Sequence, residues 1–137
     1  MKNKISYFVL FLASILFFSC TKKELDIPKI YFNTASSYQV VSGTYLPGTK
    51  CSVAVWCVQS ENEKVKNRDF RVLKNVNDTS ESVVFSKTFA DKEKEQYQYL
   101  MQHVCGNQVG EVVRYTFIVT SDKGVENRIS QAFTVAN

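Results

Sequence analysis

From Lys29 onward, apolar and polar residues alternate in short runs, and clusters of turn-forming residues separate these runs. A period of two is typical of β-strands with one buried face, because successive side chains point to opposite sides. The runs predict strands at 29–33, 50–58, 69–76, 81–90, 111–121 and 125–135, with a weaker continuation of the first strand at 35–41. We therefore predict an all-β fold, an antiparallel sandwich of about seven strands.

The alternation also assigns side chains to faces. In the run at 50–58 it places Cys51, Val53, Val55 and Cys57 on one face, and Ser52, Ala54, Trp56 and Val58 on the other. If the first set points into the core, Trp56 points away from it. The same pattern predicts that Val83, Phe85 and Phe89 lie together, and that Val113, Tyr115, Phe117 and Val119 form one face.

Turn signals divide the strands. Leu46-Pro47-Gly48 and Asn77-Asp78-Thr79-Ser80 are turns by composition, because proline restricts φ while glycine and asparagine tolerate positive φ. Asp122-Lys123-Gly124 joins the last two runs and predicts a closing β-hairpin over 111–135.

The segment 91–106 fits two assignments. As a helix, it would be capped by Asp91 and ended by Gly106, and intrinsic propensity favours this assignment. As a strand, favoured by the all-β surroundings, it would carry on one face Tyr97, Tyr99, Met101, His103 and Cys105. Both assignments stay open. A strand here should pair antiparallel with 50–58, which would place Cys105 opposite Cys51 and Cys57 opposite Tyr99.

The N-terminus has the pattern of an export signal. Lys2 and Lys4 precede an apolar run from Ile5 to Phe18, which is too short to cross a hydrocarbon core of about 30 Å comfortably and matches a signal-peptide h-region. The run ends at Ser19-Cys20, and a small residue directly before a cysteine at this place resembles the lipobox of bacterial lipoproteins, in particular those of the Bacteroidota type.

That resemblance implies a lipid anchor. In such lipoproteins the signal is cleaved before the cysteine and its thiol is diacylated, so residues 1–19 would be removed and Cys20 would begin the mature chain. Residues 20–28 read as a polar tether and 29–137 as the folded domain, held at the outer membrane. Because Lys22 and Lys23 precede the acidic residues of the tether, periplasmic and surface-facing placements both stay open.

Charge and cysteine content indicate which partners and which covalent links to expect. The formal charge of +4 includes Lys2 and Lys4 of the signal, and the other charges are interspersed, so we expect no nucleic-acid partner. With Cys20 acylated, an exported domain keeps three cysteines and can form one disulfide. The register above makes Cys51–Cys105 the candidate bridge, with Cys57 as the buried spare; three buried free thiols are the alternative.

Catalytic motifs do not stand out. The sequence has no G-x-S-x-G, H-E-x-x-H or C-x-x-C and only one histidine, so we expect a protein that is not an enzyme and has no cofactor or metal. His103, Cys105 and Cys51 would need a fourth ligand to hold zinc. The carboxylates have no spacing that singles out a catalytic pair.

Residues 115–135 resemble the closing hairpin of Ig-like domains in Bacteroidota lipoproteins, through Tyr-x-Phe-x-Val followed by Thr-x-Asp-Lys-Gly. The resemblance implies an Ig-like binding or scaffolding module of the cell envelope, with a protein or glycan partner and no shared active site. The alternative is a glycan-binding module for polysaccharide capture. Its candidate stacking residues are Trp56, Tyr38 and Tyr45, because exposed aromatic rings can pack against sugars.

Overall fold

The computed structural model of the protein describes residues 26–137, and these form an all-β sandwich. The predicted signal peptide at 1–19, the predicted lipidation site Cys20 and most of the tether lie outside the described residues. The strands are β1 (Lys29–Phe32), β2 (Gly43–Tyr45), β3 (Lys50–Val58), β4 (Asn67–Val76), β5 (Ser82–Thr88), β6 (Gln96–Val104), β7 (Val112–Ser121) and β8 (Glu126–Val135).

Two sheets face each other. The smaller sheet has the order β1-β3-β6, and the larger sheet has the order β2-β8-β7-β4-β5. Neighbouring strands are antiparallel except for β2, which pairs parallel with β8. The predicted sandwich is confirmed, with eight strands in the described part of the chain, and its architecture is compatible with an Ig-like domain.

Alternating residues of both sheets fill the core, as the sequence pattern predicts. In β3 and β7 the inward set is the predicted one, and all of its members are buried: Cys51, Val53, Val55, Cys57, Val113, Tyr115, Phe117 and Val119. Phe70 of β4 lies between the sheets, with its ring centroid 6.5 Å from that of Phe117 in its own sheet and 5.2 Å from that of Tyr99 in the smaller sheet. The contact with Tyr99 joins the two layers.

The turns follow their composition. Gly48 and Gly124 have φ values of 77° and 78°, and Asn77 and Asp78 also adopt positive φ. The Asp122-Lys123-Gly124 turn connects β7 to β8 in the predicted hairpin. Among residues 26–137, no helix is long and apolar enough to cross a membrane.

The contested segment becomes a strand. Asp91–Glu93 forms a short 3₁₀ turn, and Gln96–Val104 then pairs antiparallel with β3. The predicted register is wrong by two residues, because Cys51 is opposite His103 and Cys57 is opposite Tyr97. Since a two-residue shift leaves every side chain on its original face, alternation alone could not distinguish the two registers.

Two further predictions are wrong. Residues 35–41 form a turn and irregular chain instead of a strand, and the next strand, β2, begins only at Gly43. Val83 is 61% exposed, whereas Phe85 and Phe89 pack inward as predicted. The register between β4 and β5 shifts at Val72/Leu73, and an irregularity there changes which side of the sheet the following residues occupy.

Candidate functional site

The outward side of the smaller sheet carries an aromatic and amide-rich surface, which we call the outer face. It consists of Tyr31, Ser52, Ala54, Trp56, Gln98, Leu100 and Gln102. Strand alternation places these side chains opposite the core residues of β1, β3 and β6. Tyr31 is 47% exposed and Leu100 is 58% exposed, while Trp56 is half-buried.

Strand pairing arranges the outer face in rows. Tyr31, Trp56 and Gln98 are register partners across the three strands, with Trp56 in the middle. In the next row Ala54 pairs with Leu100, and Ala54 is only 1% exposed although it points away from the core. Successive rows are about 7 Å apart, because each step advances two residues along a strand. The outer face is therefore elongated along β3, with aromatic residues at one end.

A shallow depression of about 280 Å³ lies at the other end of the outer face. Its lining includes Tyr38, Ser52, Leu100 and Gln102. Gln39 positions Tyr38 there, because the Gln39 backbone N–H donates to the Ser52 carbonyl at 2.8 Å and the Ser52 backbone N–H donates to Gln39 Oε1 at 2.7 Å.

Among the described residues, the outer face carries no charged side chain and its polar side chains are unpaired. Within residues 26–137, the side chains of Ser52, Gln98 and Gln102 have no hydrogen-bond partner. Lysines occur only at its two ends, where Lys29 pairs with Glu61 at 3.5 Å and Lys50 begins β3. These amides and the hydroxyl can donate and accept hydrogen bonds but cannot act as a strong acid or base near neutral pH.

The outer side of the larger sheet is different. There, Glu126 forms ion pairs with Arg71 and Arg128, the latter at 3.1 Å. Of the large hydrophobic side chains that are exposed among residues 26–137, Tyr31 is the only aromatic one, and it lies on the smaller sheet.

The structure separates the predicted stacking residues. Trp56 belongs to the outer face and Tyr38 borders it, whereas Tyr45 packs against Phe133 at the core, with ring centroids 5.7 Å apart. Sequence analysis missed Tyr31 and Leu100. The sequence could have predicted that Tyr31 points away from the core, because its neighbours Ile30 and Phe32 point to the opposite face of the strand. Its place beside Trp56 depends on the pairing of β1 with β3.

Three buried thiols are free in this structure, and two of them are neighbours. Cys51 and Cys105 share a hydrogen bond; burial, followed by the charge of Cys105 and this hydrogen bond, raises the pKa of Cys51 to about 11. Burial alone raises the pKa of Cys57 to about 12. The predicted Cys51–Cys105 disulfide stays a prediction, and the diagonal placement of the two residues brings their thiols together without the predicted register.

His103 belongs to the core instead of the outer face. It is 6% exposed, its Nδ1 lies 3.2 Å from the Tyr115 hydroxyl, and its ring centroid is 4.6 Å from that of Phe133. Burial lowers the pKa of His103, and the nearby charge of Lys74 lowers it further. Within the described residues, no three His, Cys, Asp or Glu side chains are arranged to hold a metal ion.

Comparison with known proteins does not identify a family. No protein-family model matches the chain, and no curated protein matches it. Similar solved structures include superoxide reductase (neelaredoxin) from Ignicoccus hospitalis, with a TM-score of 0.47 and 10% identity over 85% of this chain and 86% of that chain. Another is the sensor domain of the anti-sigma factor RsgI4 from Pseudobacteroides cellulosolvens, with a TM-score of 0.42 and 14% identity over 80% and 94%, respectively.

A third similar structure is the sporulation control protein Spo0M from Bacillus subtilis, with a TM-score of 0.45 and 12% identity over 80% of this chain. The matched region covers 49% of Spo0M, about half of its length. None of the three similarities indicates what this chain binds.

Proposed function

We propose that the protein is a lipid-anchored, non-enzymatic binding module of the cell envelope, and that the outer face contacts its ligand. The observation that supports this proposal is the exposure of Tyr31 and Leu100 beside Trp56 on one uncharged sheet face. Large apolar side chains grouped on a surface are typical of interaction sites, because they gain free energy when a ligand removes them from water.

The polar part of the outer face supports binding without catalysis. Ser52, Gln98 and Gln102 supply a hydroxyl and two amides. None of the outer-face residues is a carboxylate, histidine, lysine or cysteine, so the Ser52 hydroxyl has no base among them to activate it as a nucleophile. These side chains can position a ligand by hydrogen bonding, and that is the role we assign to them.

The anchor is supported by the N-terminal sequence. Export with cleavage before Cys20 would leave a polar tether of a few residues before β1, so the folded domain would stay close to the membrane. Acylation of the thiol supplies two chains, and two chains hold a protein more firmly than the marginal, reversible binding that one chain gives.

The anchor is tested with the full-length protein in a Gram-negative host. We expect the wild type to incorporate a fatty-acid label and to sediment with outer membranes, whereas Cys20→Ala should lose the label and be lost from the outer-membrane fraction. Digestion of intact and lysed cells by protease then distinguishes surface from periplasmic placement. An unlabelled wild type, or a labelled Cys20→Ala variant, would contradict the proposal.

The binding face is tested by photo-crosslinking in cells of the protein's native species. A photo-reactive phenylalanine analogue in place of Gln98 should give adducts of increased mass there. The same analogue in place of Ser130, which is exposed on the larger sheet, is the matched control and should give few. Equal labelling from the two positions, or none from Gln98, would contradict assignment of the ligand to the outer face.

A further inference from the structure

We propose that the ligand of the outer face is a neutral glycan chain, with one sugar ring stacked near Tyr31 and Trp56 and another seated in the depression beside Tyr38. This inference rests on the proposed function and adds the chemical class of the ligand. It follows from the shape, charge and hydrogen-bonding capacity of the surface.

The aromatic end of the outer face suits a sugar ring. A pyranose presents C–H groups on its faces and hydroxyl groups around its edge. Tyr31 and Trp56 are register partners, so their side chains leave the sheet side by side, and Gln98 completes the row. A ring held against this row would bury its C–H groups on the aromatic surfaces, while the amide of Gln98 is placed to bind a hydroxyl.

The charge of the outer face favours a neutral ligand. Its central rows hold no ionised side chain, and the lysines stand only at the two ends. Lys29, the lysine nearest the aromatic row, already has Glu61 at 3.5 Å. An anionic polysaccharide would lose hydration here without gaining a paired cation in the centre of the site, which is unfavourable.

The free polar groups fit a ligand that both donates and accepts hydrogen bonds. Gln98, Gln102 and Ser52 are without partners in the described part of the chain. Each amide offers two donor hydrogens and one acceptor oxygen, and a sugar hydroxyl can satisfy either kind of group. An aliphatic lipid chain would cover these groups and leave them unpaired, at a cost in free energy.

The length of the outer face favours a chain over a single sugar. The depression has a volume of about 280 Å³, at the lower limit of small-molecule sites and suited to one ring. Ser52 in its lining is two rows from Trp56, so the two ends are about 13 Å apart. Ala54, small and buried, keeps the surface between them low. A linear oligosaccharide can therefore occupy both ends at once.

The test uses the full-length lipoprotein in detergent micelles, titrated by calorimetry. The probes are neutral oligosaccharides of two to six glucose, xylose, mannose or galactose units, with polygalacturonate as the anionic probe. We expect at least one neutral series to bind, with an affinity that rises with chain length, and no comparable binding of the anionic probe.

Alanine variants on and off the outer face show where the glycan binds. Tyr31→Ala and Trp56→Ala should each weaken the association about tenfold or more, which is typical of aromatic residues at the centre of an interface. Leu100→Ala should also weaken it, whereas Leu46→Ala should not, since Leu46 has a comparable exposure of 61% but lies off the outer face. Retained unfolding midpoints show that each variant is folded.

The alternative outcomes overturn the inference in distinguishable ways. Neutral glycan binding that Tyr31→Ala, Trp56→Ala and Leu100→Ala leave unchanged would place the sugar elsewhere. Preferred binding of polygalacturonate would show that the ligand of the outer face is anionic, which contradicts the proposed ligand class. If no glycan binds while Gln98 still yields photo-adducts in cells, the glycan inference fails and the proposed function stands; if Gln98 yields none either, both fail.

Discussion

His103 occupies a site where a charged ring would be poorly accommodated. It packs between Tyr115 and Phe133, and its Nε2 is buried without a partner among residues 26–137. The charged groups that face it are Lys74 of β4, which lowers its pKa, and Glu111 before β7, which raises it more weakly than burial lowers it. The net effect favours the neutral imidazole in the folded state.

This environment predicts acid sensitivity. Because the pKa of His103 is lower in the folded state than in the unfolded state, the unfolded chain takes up the proton first as pH falls. The stability contributed by the neutral ring is therefore complete above the unfolded value of about 6.5 and decreases below it. We expect the free energy of unfolding by urea to fall between pH 7.5 and pH 5.5.

The sequence contains only one histidine, so the His103→Phe variant isolates its effect. That variant keeps an aromatic ring beside Phe133 and should show a much smaller change in the free energy of unfolding over the same pH interval. A change equal to that of the wild type would contradict the assignment of the acid response to His103.

The cysteines give a second prediction at this scale. Cys51 lies diagonally opposite Cys105 and its thiol interacts with that of Cys105, whereas Cys57 lies at the far end of β3. We expect protein recovered from an oxidising compartment to yield a Cys51–Cys105 linked peptide. Alkylation in denaturant without reductant, followed by mass spectrometry, checks this result.

Cys57→Ala serves as the control, because it should leave the linked peptide unchanged. In the native protein Cys57 should resist alkylation at neutral pH, since burial raises the pKa of its thiol to about 12 and blocks access. If Cys51, Cys57 and Cys105 are all alkylated in denaturant without reductant, the disulfide prediction is wrong.

At the scale of elements, aromatic contacts join the two sheets. Phe70 of β4 meets Tyr97 and Tyr99 of β6, with ring centroids 5.9 Å and 5.2 Å away, and Phe85 of β5 lies 4.7 Å from Tyr99. Phe70 is fully buried, so its removal would leave a cavity between the sheets.

We therefore expect Phe70→Ala to lower the free energy of unfolding by about 3–5 kcal/mol, the usual cost of such a truncation in a core. Urea denaturation followed by tryptophan fluorescence measures it, since Trp56 is the only tryptophan. Tyr31→Ala, on the exposed side of the smaller sheet, is the control and should change stability by about 0.5 kcal/mol or less. Similar losses in both variants would contradict the assignment of Phe70 to the core and Tyr31 to the surface.

The strands also show which features the sequence predicted and which it did not. The bounds of β3 were predicted in full, because Lys50–Val58 is a run rich in apolar and β-branched residues between a turn and a polar loop. Val83 was misplaced, because the register shift at Val72/Leu73 is not visible in the composition of β5. Gln131 was missed as well: it is 1% exposed and donates to the Val41 carbonyl at 3.2 Å, a contact that brings together residues far apart in sequence.

At the scale of the whole molecule, the core closes within the described residues. Ile30 near the start of β1 and Val135 at the end of β8 belong to the same buried cluster. The Asn127 side chain donates to the Pro28 carbonyl at 2.9 Å, and the Asn62 side chain donates to Asp26 at 3.0 Å, so the entry to β1 is attached to the body of the domain.

A chain that begins at Asp26 should therefore fold as stably as the full-length protein. We expect the free energies of unfolding of the two forms to agree within about 0.5 kcal/mol, the range for changes that remove no buried group. Urea denaturation in the same detergent provides the comparison. A chain that begins at Lys29, which lacks both attachments, is the matched variant and should be less stable; a large loss already at Asp26 would show that residues 1–25 contribute to the fold.

The sequence by itself determined the all-β class, the inward and outward sets of β3 and β7, and the turns at Gly48 and Gly124, because period-two alternation and turn chemistry are local properties. Only the tertiary structure decided whether Gln96–Val104 is a strand, since competing propensities were settled by pairing with β3. It also decided the register of that pair and the separation of Tyr45 from Trp56. These depend on contacts between distant segments, and the outer face exists only because β1, β3 and β6 bring their side chains into common rows.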